Sequence, residues 1–184
     1  MHARRSICAD AACTTRVRWL ARPFAVLIAV TAGGGPAFAQ QTDPGVTLRL
    51  FEVAQDLAEI PELAPDQTPN VDQLRDRIDF RYDDFAAVSA PFVTRVVAQL
   101  LVTAPGEYRF RLTSDDGSRL TLDGAVVSNN DGRNGSVSVE SDPVHLTSGP
   151  HALLVEQFDH VGDRVLRLEW RPPGASEFAS IPIA

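Results

Sequence analysis

The stretch between residues 106 and 124 constrains the fold of this chain more than any other part of its sequence. Three apolar residues alternate there with polar ones: Tyr108, Phe110 and Leu112. Such a period of two places the apolar side chains on one face of a β-strand. The alternation stops at Asp115-Asp116-Gly117 and resumes before a second Asp-Gly pair. The sequence therefore predicts two strands of a half-buried sheet, with two adjacent carboxylates at the turn that joins them.

The same pattern recurs along most of the chain beyond residue 45. The longer alternating or apolar runs cover residues 46–53, 92–102, 151–158 and 164–171. Asp-Gly, Asn-Gly and Pro-Gly pairs separate many short runs, and no long stretch has helical periodicity. Residues 71–77 read as one helical turn or a loop. We therefore predict an all-β fold, an antiparallel β-sandwich with long connecting loops.

The first 39 residues have the composition of an export signal. Several arginines precede a short apolar run at residues 24–31, and Ala37-Phe38-Ala39 follows as a small-x-small cleavage site. This order is typical of a secretory signal peptide. The apolar run is too short to cross a bilayer, which takes about 20 residues. We expect cleavage near Ala39, a single domain over residues 40–184, no membrane span and a secreted or periplasmic location.

The composition of the chain limits the kinds of ligand that it can bind. Both cysteines, Cys8 and Cys13, lie in the predicted signal peptide, so we expect a mature domain without disulfides. The chain has 24 acidic residues against 17 basic ones, all arginine, and a formal net charge of −7 at pH 7. Such a surface repels nucleic acid and suits a cation or a neutral ligand. No nucleophile elbow, phosphate loop or zinc helix is present in the sequence, and we expect no enzyme.

Several motifs, in their order and spacing, resemble a known family. They are Gly106-x-Tyr108-x-Phe110, Ser114-Asp115-Asp116-Gly117-Ser118, Asn129-Asn130-Asp131-Gly132 and Leu166-x-Leu168-x-Trp170-x-x-Pro173-Gly174. Together they are similar to the protective-antigen ("PA-fourteen") domain, the β-sandwich family of anthrax protective antigen and the yeast flocculin-type lectins. Many members bind sugars, and several do so through calcium. The resemblance implies a lectin-like carbohydrate-binding module that binds glycans at loops on one end of the sandwich.

The resemblance also implies a calcium site. In those lectins two adjacent aspartates, joined by a cis peptide, bind calcium, and the matching pair here is Asp115-Asp116. A loop between the last two long strands supplies further ligands, and here Asp159 stands where the lectins have asparagine. The implied metal ligands are Asp115, Asp116, Asp159, Val161 and Asp163. The implied sugar contacts are Asp115, Asp116, Asp131 and His160.

The residues by themselves leave simpler interpretations open. Aspartate and glycine favour tight turns, so the Asp115-Asp116 segment and the 159–163 segment can both be ordinary hairpin turns. The Asn-rich stretch at residues 129–132 is more typical of a solvated hairpin. The alternative function is a structural or protein-interaction domain that docks on other envelope or extracellular proteins and binds no sugar. A small glycan-active enzyme is a third hypothesis.

Overall fold

The computed structural model describes residues 44–182, so the predicted signal peptide lies outside the described residues. Twelve strands and one short 3₁₀ turn (Tyr82–Phe85) make up the secondary structure of this part of the chain. The strands are β1 (Val46–Glu52), β2 (Val71–Arg75), β3 (Asp79–Arg81), β4 (Phe92–Val102), β5 (Gly106–Asp115), β6 (Ser118–Leu122), β7 (Ala125–Asn130), β8 (Val137–Glu140), β9 (Val144–Leu146), β10 (Gly149–Asp159), β11 (Val165–Arg171) and β12 (Ala179–Ser180).

Two antiparallel sheets form the sandwich. The first sheet has the strand order β2-β1-β4-β10-β6-β7. The second has the order β12-β11-β5-β8, with β3 beside β11 and β9 beside β5. The predicted all-β sandwich is confirmed. Within residues 44–182, no helix is both long enough and apolar enough to span a membrane.

The prediction for residues 71–77 is wrong over most of its length. Residues 71–75 form β2, an edge strand that pairs with β1 and places Val71 opposite Leu50. Only Val71 is buried in this strand. The sequence of such an edge strand shows no alternation of apolar and polar residues, because only one side chain is buried. Its extended conformation comes from the hydrogen bonds to the neighbouring strand.

The main core lies between the two sheets. Large side chains from both sheets are fully buried there, and they include Leu48, Leu50, Phe92, Phe110, Leu112, Leu120 and Leu166. Each such side chain contributes about 1.5–3 kcal/mol relative to an exposed position. The apolar faces that the period of two predicted are therefore the faces that hold the sheets together.

A second, smaller core lies on the outer face of the first sheet. Phe51, Val93 and Phe158 are neighbours across β1, β4 and β10, and Phe51 and Val93 each follow a residue of the main core. The proline-rich segment (residues 53–70) covers them with three buried side chains, those of Leu57, Ile60 and Leu63. This packing fixes the proline-rich segment over the end of the sheet where β10 finishes.

Candidate functional site

The aspartate pair lies where β5 ends and β6 begins. The peptide bond between Asp115 and Asp116 is cis, as the resemblance implies. Each of the two residues is only 6% exposed. The Ser114 hydroxyl donates to the Asp116 carbonyl at 2.8 Å, and the side-chain amide of Gln157 donates to the Asp115 carbonyl. The turn is therefore held by buried side chains as well as by its own backbone.

The end of β10 lies directly beside this turn. The Asp116 amide donates to the carbonyl of Phe158 at 3.2 Å, and the Phe158 amide donates to the carbonyl of Gly117 at 3.0 Å. Asp159, the next residue, is 1% exposed. These contacts place Asp159 next to Asp115 and Asp116, although 43 to 44 positions separate them in the sequence.

The loop after β10 faces the same carboxylates. The His160 amide donates to Oδ2 of Asp116 at 2.8 Å. A Cβ atom built on Gly162 would lie 3.9 Å from Oδ1 of Asp115. The charge of Asp163 also acts on Asp115. The structure thus brings together the turn, the last residue of β10 and the loop after it, which are the three segments that carry the five predicted metal ligands.

Burial and mutual repulsion disfavour the charged forms of two of these carboxyl groups. Burial, and then the charges of Asp116 and Asp115, raise the pKa of Asp159 to about 7, while Arg164 opposes the shift. Burial and the charges of Asp116 and Asp163 likewise raise the pKa of Asp115. Oδ2 of Asp159 is buried and has no hydrogen-bond partner among residues 44–182. Buried carboxylate oxygens of this kind fit a hard cation such as calcium, which binds oxygen ligands.

The side chains do not form a complete metal shell by themselves. No group of three or more His, Cys, Asp or Glu side chains with metal-binding geometry occurs in the described part of the chain. Calcium takes six to eight oxygen ligands, and backbone carbonyls, water and ligand hydroxyls commonly supply some of them. A cation at this turn would therefore need oxygens from the 160–163 loop, from water or from a ligand, in addition to carboxylate oxygens of Asp115, Asp116 or Asp159.

Asp131 has a structural contact that the sequence did not indicate. Its Oδ1 accepts the amide of Ile60 at 2.9 Å and the amide of Gly132 at 2.9 Å. The loop that carries it also lies against the aspartate turn, because a Cβ atom on Gly117 would come within 2.7 Å of the Gly132 backbone. One Asp131 oxygen therefore ties this loop to the proline-rich segment. A sugar contact through Asp131 stays a prediction.

Sequence reasoning missed two charged residues at the rim of the site, Asp56 and Arg133. Nδ1 of His160 lies 3.4 Å from Oδ1 of Asp56, and Arg133 also donates to Asp56. No local pattern marks these residues, since Asp56 and Arg133 are 77 positions apart. The sequence did contain one indication that the proline-rich segment covers the sheet. Leu50-Phe51 and Phe92-Val93 are pairs of adjacent apolar residues, and such pairs indicate that both faces of the sheet are buried at that place.

An apolar cavity of about 540 Å³ lies elsewhere in the sandwich. Leu101 and Pro150 line it, together with Leu74, Val97 and Leu153. Pro150 pairs with Leu101 near the start of β10, whereas Asp159 is the last residue of that strand and pairs with Phe92. The cavity is therefore at the opposite end of the strand from the aspartates.

Comparisons with known proteins identify the family and the fold. The PA14 domain family matches residues 42–183. The PA14 sugar-binding domain from an RTX adhesin is 19% identical, and the match covers 78% of this chain and 98% of that one with a TM-score of 0.66. The PA14 domain of the antifreeze protein MpAFP is 17% identical, with 76% and 88% covered and a TM-score of 0.66.

The domain of an epithelial adhesin also has a similar fold. The epithelial adhesin 9 A domain (Epa9A) from Candida glabrata, solved in complex with Galβ1-3GlcNAc, is 14% identical. The match covers 76% of this chain and 87% of that domain, with a TM-score of 0.52. No curated protein matches the chain. Because the family match spans most of the sequence, the chain belongs to the PA14 domain family.

Proposed function

We propose that this chain is an exported carbohydrate-binding domain that binds glycans through a calcium ion held at the Asp115-Asp116 turn. The observation that supports this most directly is the set of three buried carboxylates, Asp115, Asp116 and Asp159, which lie together with one oxygen lacking a partner among residues 44–182. A buried, uncompensated charge is costly unless a cation balances it. Two of the similar structures are a sugar-binding domain and an adhesin domain in complex with a disaccharide.

The residues of the site would have different roles in binding the metal. Asp115, Asp116 and Asp159 would hold the cation with their carboxylates, and the loop from His160 to Asp163 would close the site on one side. Bound calcium supplies a positive centre whose open positions accept neutral hydroxyl oxygens. A neutral sugar suits an acidic protein of this kind, because binding it adds no charge repulsion.

A glycan array with and without a chelator tests this proposal. Exported protein in millimolar calcium should bind a subset of the glycans, and addition of EDTA should remove that binding. Calorimetric titration with calcium alone measures the metal site separately from the sugar. Binding that persists in EDTA would contradict the role of calcium, and the absence of any glycan binding would contradict the function.

A surface feature favours the second candidate, a protein-interaction domain. Large apolar side chains are exposed on the first sheet, among them Leu74 at 54%, Val97 at 43% and Leu101 at 49%. These three also border the apolar cavity. Exposed apolar patches of this kind often mark interaction surfaces. An array without bound glycans, together with capture of an envelope protein that depends on Val97 and Leu101, would favour this candidate.

A further inference from the structure

A chain of polar contacts leads from the aspartate turn to the proline-rich segment. The His160 amide donates to Asp116, and the His160 ring lies 3.4 Å from Asp56. Asp56 accepts a hydrogen bond from Nη2 of Arg133, and Nε of Arg133 donates to the Leu57 carbonyl at 2.6 Å. The charge of Asp116 also acts on Arg133. Asp56 and Arg133 therefore lie beside the candidate calcium site.

The Asp56–Arg133 pair is not needed to hold this part of the fold together. The side chains are 72% and 42% exposed, and an ion pair in such a setting contributes little to stability. The proline-rich segment is anchored separately. Leu57 and Ile60 are buried against Phe158, and the Ile60 amide donates to Asp131 at 2.9 Å.

The pair offers both kinds of hydrogen-bonding group to a ligand. A guanidinium has five N–H donors, and contacts with Asp56 and Leu57 engage Nη2 and Nε of Arg133. The hydrogen bond from Arg133 lowers the pKa of Asp56, so its carboxylate is ionised and accepts hydrogen bonds at neutral pH. A donor and an acceptor side by side match neighbouring sugar hydroxyls, each of which both donates and accepts.

We propose that Asp56 and Arg133 form a second sugar subsite, which binds the second residue of a neutral oligosaccharide whose first residue is held at the Asp115-Asp116 turn. This inference rests on the proposed function. The two charges of the pair cancel, so the subsite favours an uncharged sugar over a uronic acid or a sulfated sugar. The occupant that it selects is a glycan of at least two residues.

The test compares monosaccharides with disaccharides. Wild-type protein and the double variant Asp56→Asn/Arg133→Gln are titrated in millimolar calcium with galactose, glucose and mannose, and with β1,3- and β1,4-linked disaccharides that end in each. We expect the variant to bind the preferred disaccharide about tenfold more weakly, because hydrogen bonds to charged groups are lost. Its affinity for the matching monosaccharide should not change.

Two further variants test whether the effect is specific to the Asp56–Arg133 pair. Arg133→Lys keeps the charge but loses the planar fork, so it should also weaken disaccharide binding while the fold stays intact. Arg49→Gln/Asp72→Asn removes an exposed ion pair with a 3.1 Å contact and 43% and 51% exposure on the outer face of the first sheet. This matched control should leave the affinities for both classes of sugar unchanged.

Two outcomes would overturn the subsite alone. Equal loss of monosaccharide and disaccharide binding would show that the pair only shapes the calcium site. Unchanged binding of both would show that the pair contacts no sugar. A wild-type protein that binds calcium but no glycan of the array overturns the proposed function and the subsite with it. The calcium-induced rise in melting temperature, measured for every variant, confirms that the fold and the metal site remain.

Discussion

The backbone amide of His160 donates a hydrogen bond to Oδ2 of Asp116 at 2.8 Å. This bond joins the turn between β5 and β6 to the loop between β10 and β11. It fixes one oxygen of the Asp116 carboxylate on the protein, so the orientation of that carboxylate depends on the loop. Because both segments are involved, we expect metal binding and the order of the 159–163 loop to be linked.

Calcium should raise the melting temperature of the protein, because a ligand that binds only the folded state stabilises that state by mass action. Replacement of Asp115 and Asp116 by asparagine removes two charges but keeps their size and the oxygen that accepts the His160 amide. The double variant should fold and show no calcium-dependent shift. Differential scanning calorimetry in EDTA and in millimolar calcium measures both effects.

The matched control for this experiment is the pair Asp66→Asn/Asp76→Asn. Both positions are exposed and lie outside the candidate site, and the change removes the same number of charges. The control should keep the full calcium shift. If wild-type protein shows no shift at neutral pH, or if the control loses it as well, the assignment of calcium to the aspartate turn is wrong.

The period of two predicted the strands well, because most of them bury one face. The bounds of β4 agree with the predicted run, and those of β1, β10 and β11 lie within two residues of theirs. The edge strand β2 was not predicted, because its single buried residue, Val71, produces no alternation of apolar and polar residues in the sequence. The local sequence indicates which residues are buried. It indicates strand pairing only where the pairing also buries side chains.

The candidate site was predictable only in part. The turn and the β10–β11 loop were predictable because the family resemblance fixed Asp115, Asp116 and Asp159. The rim formed by Asp56 and Arg133 was not, since it exists only because the proline-rich segment packs on Phe158 and crosses the sheet. Contacts between residues so far apart in the chain follow from tertiary packing and leave no mark on local composition.

Asp159 should make the metal-free protein less stable as pH rises. Its pKa in the folded state is about 7, above the ordinary carboxyl value of 3.8, so the folded state binds the proton more tightly than the unfolded state does. The contribution of Asp159 to stability is therefore lost as pH rises between these two values. In EDTA, the melting temperature of wild-type protein should fall between about pH 5 and about pH 8, and Asp159→Asn should reduce that fall.

Calcium should oppose this trend, because the metal and the proton compete for the same carboxylate. The calcium-induced rise in melting temperature should be larger at about pH 8 than at about pH 5. An identical slope with pH for wild-type protein and Asp159→Asn in EDTA would show that Asp159 does not titrate in this range.

Gly117→Ala should disturb the site through packing. An added Cβ would lie 2.6 Å from the Phe158 ring and 2.7 Å from both the nitrogen and the oxygen of Gly132. Backbone contacts this short force a shift that costs about 1–3 kcal/mol. Chemical denaturation should show this loss, together with a weaker calcium shift. Gly135→Ala is the control, because a Cβ there meets nothing within 4 Å; a similar loss in both variants would contradict the role of the contact.

His151 and Asp123 should stabilise the protein most in mildly acidic solution. Nδ1 of His151 lies 2.6 Å from Oδ2 of Asp123, and Nε2 lies 2.9 Å from the Thr147 carbonyl. The hydrogen bond to Asp123, and then that to Thr147, raise the pKa of His151, and the hydrogen bond from His151 lowers the pKa of Asp123. The histidine contribution is complete below the unfolded value of 6.5 and is lost as pH rises through the higher folded value.

The aspartate contribution has the opposite sign. It is present above the unfolded value of 3.8 and is lost as pH falls through the lower folded value. The pair therefore stabilises the fold most between the two unfolded values, and His151→Gln should lower the melting temperature more at about pH 5.5 than at about pH 9. His145→Gln, at an exposed position, should show no such difference. Since His151 pairs with Leu100, far along β10 from Asp159, the calcium shift should survive the change. A loss of stability that is equal at both pH values would mean that His151 is neutral in the folded protein.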